Sequence, residues 1–219
     1  MDTELSQLLK DGILKIDKGI YNDELLTRLE KLYDEVSLFN PVYKLVGSGG
    51  RELVVKHILD CLAPVPIMKK IIGDKNGYFA DLGSGAGFPG LVLSSVFTQY
   101  RFFLVEKMGR RAGFLRNTVA LTGLVGNAEI IEKNLEELDE NFDFVTFRAF
   151  RHMRDIASDL KRITKSGSFV FAYKSSEDDI RQEVSDMEKL VPDTFRWQIL
   201  DYEVPFTDAK RSLLILERI

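Results

Sequence analysis

Between Phe79 and Gly90 the chain passes from apolar residues through a single acid, Asp81, into glycines at 83, 85, 87 and 90. An apolar approach followed by glycine at alternating positions describes a strand that stops in a tight loop. Glycine reaches positive φ without a Cβ clash and lets a ligand lie against bare peptide groups. Beyond the loop the chain must cross over before another parallel strand can pair, so a helix is expected directly after it. The chain is thereby committed to a strand–loop–helix unit with a nucleoside-sized cradle at the carboxyl end of the strand.

The rest of the sequence fits that commitment. Strands are expected at 78–81, 101–106, 128–132, 142–147 and 168–173, with helices starting at 90 and over 109–122, 153–163 and 178–190. Lys165, Ser166 and Gly167 read as the turn before the fifth strand, and two last strands fall near 195–202 and 212–217. Five strand–helix units and a closing pair describe an α/β, Rossmann-like fold. Its sheet is seven-stranded and mostly parallel, with helices on both faces and the final pair antiparallel. Upstream, Leu25, Leu29, Leu32 and Val36 share one helix face, with Asn22 as its cap and Pro41 as its end. A second helix is expected over 52–62, closed by Pro64 and Pro66. The division expected is a helical region over 1–73 and an α/β domain over 74–219.

Composition removes several classes. Cys61 is the single cysteine and His57 and His152 the only histidines, so neither a disulfide framework nor a structural metal site is expected. No apolar run approaches the roughly 20 residues that span a bilayer, and the first residues lack a secretory pattern. A cytoplasmic monomer without membrane association is the expectation. The net charge of −4 argues against a protein that grips nucleic acid over its whole surface. A local basic cluster exists all the same: Lys107, Arg110, Arg111 and Arg116, close behind the second strand. Such cations hold RNA phosphates, or they form a solvated helix face.

Gly85 to Gly90 satisfies the dinucleotide pattern G-x-G-x-x-G literally. Asp81 stands before the first glycine, and Pro89 removes one peptide N–H from the helix start that would meet a pyrophosphate. S-adenosylmethionine has no phosphate and carries a sulfonium and an amine, so it suits this loop better than NAD. Glu106, closing the second strand, is placed to accept from a ribose diol in either cofactor class. Leu135 and Glu136 come after the third strand, where an adenine would lie. Leu135 as plain core, with Glu136 as an acid favoured by the helix dipole, is the other reading.

Methyl transfer is an in-line displacement that gains most from positioning. Cytosine C5 chemistry needs a cysteine near the fourth or fifth strand, and Cys61 lies upstream of the loop. Exocyclic amine chemistry usually shows an Asn/Asp-Pro-Pro-aromatic turn after the fourth strand, which here reads Thr146-Phe147-Arg148-Ala149-Phe150. An acceptor with a free lone pair, such as guanine N7, needs neither. Arg148 is the candidate catalytic residue. It can stack on a ring, fork onto a phosphate or carboxylate, or make a structural ion pair with Asp81 or Glu106. Lys174 closes the fifth strand as a second cation or a surface lysine. His57 and Asp60, three apart on one helix face, read as hydrogen-bonding or substrate-facing groups.

Taken in order, the segment from Phe79 to Gly90, the run Glu106-Lys107-Met108-Gly109-Arg110-Arg111 with Phe114-Leu115-Arg116, and Phe147-Arg148-Ala149-Phe150 resemble a known family. It is the bacterial small-subunit ribosomal RNA guanine-N7 methyltransferase family, also called glucose-inhibited division protein B. Tyr43-Lys44-Leu45 and the helix from Val55 to Leu62 resemble its upstream segments. Departures are Lys44 for asparagine, Val46-Gly47, Asn134 for arginine, and Lys174-Ser175. The resemblance implies a class I methyltransferase fold behind an N-terminal helical region. It implies S-adenosylmethionine held by Gly83, Phe88, Leu135, Glu136 and Arg148, with Glu106 on the ribose; the loop reading adds Asp81, Gly85 and Gly87. It also implies small-subunit ribosomal RNA, or the subunit itself, as partner, and the cations and polar groups expected to meet it are Lys44, His57, Lys107, Arg110, Arg111, Arg116 and Lys174. A small-molecule or protein methyltransferase, an NAD-binding oxidoreductase and a non-catalytic RNA-binding module are the competing readings.

Overall fold

The structure, a computed structural model, describes residues 1–175 and 177–219, with Asp178 described without its side chain. Four helical segments come first: α1 (Thr3–Ile16), α2 (Asp23–Tyr43), α3 over 51–62 and α4 (Val65–Ile72). A seven-stranded sheet comes next, formed by β1 (Tyr78–Leu82), β2 (Arg101–Val105), β3 (Ala128–Ile131), β4 (Phe142–Arg148), β5 (Thr164–Lys174), β6 (Phe195–Tyr202) and β7 (Arg211–Arg218). Helices α5 (Gly90–Val96), α6 (Gly109–Thr122), α7 (Met153–Ile163) and α8 (Glu177–Leu190) make the crossovers. Strand order is β3-β2-β1-β4-β5-β7-β6. Pairs up to β4–β5 are parallel, while β7 runs antiparallel to both β5 and β6. This is the expected fold.

The chain leaves β1 in one direction for β2 and β3, then returns to build β4 on the other side. The carboxyl ends of β1 and β4 therefore flank the topological switch point, where ligands bind in open α/β sheets. Asp81 pairs with Leu104 of β2 and Thr146 of β4, so it stands at the middle of the sheet just below that edge.

Side-chain alternation divides the core into two layers. Phe79, Phe102, Phe144 and Phe171 face α5, α6 and the N-terminal helices, and Phe79 stacks between Phe102 (4.5 Å) and Phe144 (4.7 Å). Ala80, Leu82, Val145 and Val170 face α7 and α8. Phe142 joins this second layer because the β4–β5 register slips between Phe142 and Phe144. The expected turn at 165–167 is absorbed into the same irregularity. β5 already begins at Thr164, and Gly167 takes the positive φ (85°).

Asn22 caps α2 as expected, accepting from the Leu25 N–H at 2.8 Å. Pro41 does not end that helix. It lies inside the last turn, the helix runs on to Tyr43, and it stops at Lys44 with φ 49°. The N-terminal helices share the first core layer: Leu9 and Ile13 of α1, then Leu25, Leu29 and Val36 of α2, are buried with Phe79 and Phe102. Gly12 lets α1 settle on α3, since a Cβ there would overlap the Leu59 methyls.

That shared core makes a prediction. Leu29 is fully buried, and Leu29→Ala should cost about 3 kcal/mol. Trp197, the single tryptophan, reports from β6, far along the sheet order. Its fluorescence midpoint and the helical circular dichroism midpoint should fall together in denaturant. Separate midpoints would show the helical region folding on its own.

Candidate functional site

The glycine loop after β1 has the conformations that glycine permits. Gly83, Gly85 and Gly87 take φ of 68°, 54° and 88°. A Cβ on Gly83 would overlap the Phe150 ring, and one on Gly90 would come 2.5 Å from Asp81 Oδ2. Asp81 is fully buried, and its Oδ2 accepts from the Gly90 N–H at 3.1 Å, which ties the strand end to the first turn of α5. Its Oδ1 has no partner. Burial pushes the Asp81 carboxyl up to about 7, against the pull of Ser84, the Gly90 N–H and Arg148.

Glu106 is buried rather than solvated. Its Oε2 accepts from the Gly85 N–H (3.0 Å) and its Oε1 from the Met108 N–H (2.8 Å). One carboxylate thus fixes both the loop after β1 and the entry to α6. Beside it lies a cavity of about 270 Å³ walled by Gly83, Glu106, Met108, Leu135 and Phe150. Leu135 is buried, and its carbonyl is held by Arg162 at 2.9 Å. Glu136 stands outside the cavity, paired with Arg151 at 2.5 Å, and that hydrogen bond lowers its carboxyl pKa.

Arg148, the last residue of β4, is gathered onto α3. Its Nη1 donates to Asp60 Oδ2 and to the Lys56 carbonyl, both at 2.9 Å, and its Nη2 donates to His57 Nδ1 at 2.7 Å. Its guanidinium lies 5.6 Å from the centre of the Phe88 ring. The ion-pair partner is therefore Asp60, not Asp81 or Glu106. α3 makes this possible by widening to a π-helix over Val54–Leu59. The Asp60 N–H goes back to Val55 and His57, leaving the Lys56 carbonyl without its ordinary α-helical donor and open to Arg148. π-Bulges of this kind recur at functional sites.

Arginine has only donors, so His57 Nδ1 must be the acceptor and the proton sits on Nε2. From there it is donated to Ser48 Oγ at 3.0 Å. Burial, and then the Arg148 charge, lower the His57 pKa to about 4, so the ring is neutral at pH 7. Asp60 is bridged a second time, by Arg211 Nε at 2.8 Å. A cavity of about 530 Å³ opens beside this cluster, bordered by Arg148, Phe150, Tyr173, Lys174 and Arg211. The structure thus brings Gly83, Glu106 and Leu135 around one cavity, which Asp81, Gly85 and Gly87 do not border. His57, Arg148 and Lys174 border the other.

Phe88 belongs to neither wall. It is buried under Arg148 and 5.4 Å from the His57 ring. Lys174 is half-buried and paired with Glu183 at 2.6 Å. Lys107 and Arg111 border the smaller cavity, and Arg110 lies 5.7 Å from the Tyr43 ring near exposed Lys44. Arg116 is engaged by Glu132 at 2.7 Å. Phe150 stood in the sequence only as part of a motif, and no pattern there pointed to Arg211 or to Tyr202, whose buried hydroxyl lacks a partner. The available signal for Arg211 was topological, since an antiparallel strand beside β5 starts at the ligand edge.

Among the described residues, no cluster of three or more histidine, cysteine or acidic side chains could hold a metal, and no helix is long and apolar enough to cross a membrane. The donor set fits S-adenosylmethionine. Asp81 has one buried oxygen without a partner, the kind of orphan a cationic group would satisfy, while its other oxygen occupies the Gly90 N–H that a pyrophosphate would need.

A family model described as GidB, rRNA small subunit methyltransferase G, matches residues 25–201. The protein named ribosomal RNA small subunit methyltransferase G from Borrelia turicatae (strain 91E135) is 36% identical over 173 residues, covering 78% of this chain and 81% of that one. The protein of the same name from Treponema denticola is 31% identical and covers all of both chains. Among solved structures, a human methyltransferase 10 domain containing protein aligns with TM-score 0.57 at 11% identity, covering 87% of this chain and 97% of that one. The precorrin-6y C5,15-methyltransferase from Geobacter metallireducens GS-15 gives 0.55 at 14%, with 72% and 88% covered. Both structural likenesses concern the fold.

Asp81 gives a pH prediction. Its folded pKa, about 7, lies above the ordinary carboxylate value, so the folded chain holds a proton that the unfolded chain releases. Its contribution to stability is present below pH 4 and is lost as pH rises toward 7. Asp81→Asn, which still accepts from Gly90, should gain melting temperature relative to the native chain as pH is raised from 5 to 8. Parallel melting curves would refute the assignment.

Proposed function

We infer the function from the family to which this chain belongs, GidB, the rRNA small subunit methyltransferase G family: it is an S-adenosylmethionine-dependent methyltransferase of small-subunit ribosomal RNA. The match over 25–201 carries that conclusion. We further propose that the acceptor is N7 of a guanine. The family match does not favour a small-molecule or protein acceptor.

When bound, S-adenosylmethionine supplies a methyl group made electrophilic by its sulfonium. The smaller cavity is the one we assign to it. There Gly83 offers bare backbone and Glu106 faces the site from the end of β2, while the buried Asp81, with its unpartnered Oδ1, precedes Leu82 of the cavity wall. Leu135 supplies an apolar wall.

The larger cavity is assigned to the acceptor base. A guanine N7 presents a lone pair, so the reaction there asks for position and not for proton abstraction. The residues agree with that demand. Cys61 is buried and its thiol is pushed up to about 12 by burial, which leaves no thiolate. His57 accepts from Arg148 through the nitrogen that a base would use. Methylation at N7 leaves positive charge on the guanine, and Arg148 is held against Asp60, whose one carboxylate is shared with Arg211. The remaining Arg148 N–H groups present donors, and O6 beside N7 is the acceptor suited to them.

Lys107 and Arg111 border the smaller cavity, and Arg110 of α6 lies over the ring of Tyr43, the neighbour of Lys44. On this reading they meet the RNA backbone. Arg116 contributes less, because Glu132 engages it. Such a substrate places the protein in the cytoplasm.

Mass spectrometry tests the proposal directly. Purified protein, S-adenosylmethionine and small subunits from cells lacking this chain should yield one new N7-methylguanine in the small-subunit RNA. A methyl group on another atom, on a ribosomal protein, or on no component would contradict it.

A further inference from the structure

Methyl transfer requires donor and acceptor to meet at the boundary between their two cavities. Among the described residues, Ala149, Phe150 and Arg151 are the three that border both. Phe150 is the aromatic one, and two backbone features hold its ring there. Ala149 takes φ 49°, a left-handed conformation that a non-glycine residue adopts at a cost and that clusters at functional sites. It turns the chain back immediately after Arg148. Gly83 lacks the Cβ that would overlap the Phe150 ring, so the ring settles on the floor of the glycine loop.

Phe150 is half-buried, unlike the core aromatics of the sheet, and Phe147 lies 6.3 Å from it on the protein side. The Arg151 guanidinium sits over the ring at 5.1 Å and is tethered in turn to Glu136. A phenyl ring and a guanidinium fixed together make a flat, polarised surface, which stacks on the π-face of a nucleobase.

We propose that Phe150, backed by Arg151, is the stacking platform that holds the acceptor purine at the junction of the two cavities. The inference rests on the RNA-methyltransferase reading above and extends it to a specificity residue. A purine covers more of such a platform than a pyrimidine does, so Phe150 contributes to the choice of base as well as to its position. Arg151 and Glu136 act through Phe150, as positioning residues.

Phe150→Leu keeps an apolar side chain of similar size over Gly83 and removes the π-face, while Phe150→Tyr keeps the π-face. Two measurements are made on the full-length protein. One is kcat/KM for methylation of unmethylated small subunits. The other is the affinity for guanosine monophosphate in the presence of saturating S-adenosylhomocysteine. Phe150→Leu should lower both by about ten- to a hundredfold, with melting temperature unchanged and any loss of S-adenosylhomocysteine affinity well below that factor, since Phe150 also borders the smaller cavity. Phe150→Tyr should stay near the native values. Equal guanosine monophosphate affinity in the native protein and Phe150→Leu, including none in either, overturns the proposal. So does a loss of S-adenosylhomocysteine affinity that parallels the loss of transfer. A native protein that binds guanosine monophosphate through Phe150 but methylates no small subunit would overturn the functional reading and leave this inference standing.

Discussion

The largely buried pair between Arg148 and Asp60 holds the site together. Arg148 belongs to the sheet and Asp60 to the N-terminal helices, and their side chains are 17% and 5% exposed. Breaking one member of such a pair strands a charge in a poorly solvated place, which costs several kcal/mol. The helices upstream of the α/β domain therefore supply part of the site. Through Arg148 they set one wall of the larger cavity, and through Arg211, also on Asp60, they reach the start of β7. The π-widened turn of α3 is the local adjustment that lets Asp60, His57 and the Lys56 carbonyl converge on one guanidinium.

The donor side is organised differently. Asp81 and Glu106 each commit carboxylate oxygens to backbone N–H groups of the loop, so the cradle is stiffened by the acids that border it. Asp81 commits only one. Its second oxygen is buried without a partner, an arrangement that raises its pKa and that a bound cation would relieve. The Gly90 N–H that a pyrophosphate would use is already taken by Asp81, although the glycines satisfy the dinucleotide pattern.

Much of this was legible in the sequence, for local reasons. The helices over 109–122 and 153–163 fall where periodicity put them, and the glycine loop declares its own geometry. Arg148 was legible as a strand-end cation on the ligand edge. Its partners were not, because Asp60 stands 88 positions away and meets it only once α3 has packed across the loop. The π-turn is a choice among backbone hydrogen bonds that side-chain pattern does not encode. Arg211, 151 positions from Asp60, depends on β7 inserting between β5 and β6. Pro41 misled because it marks the helix end only to within a few residues, and α2 runs on to Tyr43 before Lys44 stops it. Phe88 was expected at the cofactor, and its burial under Arg148 results from α3 closing over that side.

The central claim is that Asp60 acts on the reaction through Arg148. A double-mutant cycle with Asp60→Asn and Arg148→Lys, read in kcat/KM for methylation of small subunits, measures that coupling most directly. If Asp60 works by holding Arg148, the double variant loses about as much as either single one, with a coupling of tenfold or more. Losses that simply multiply would contradict the claim and make Asp60 and Arg148 independent contributors.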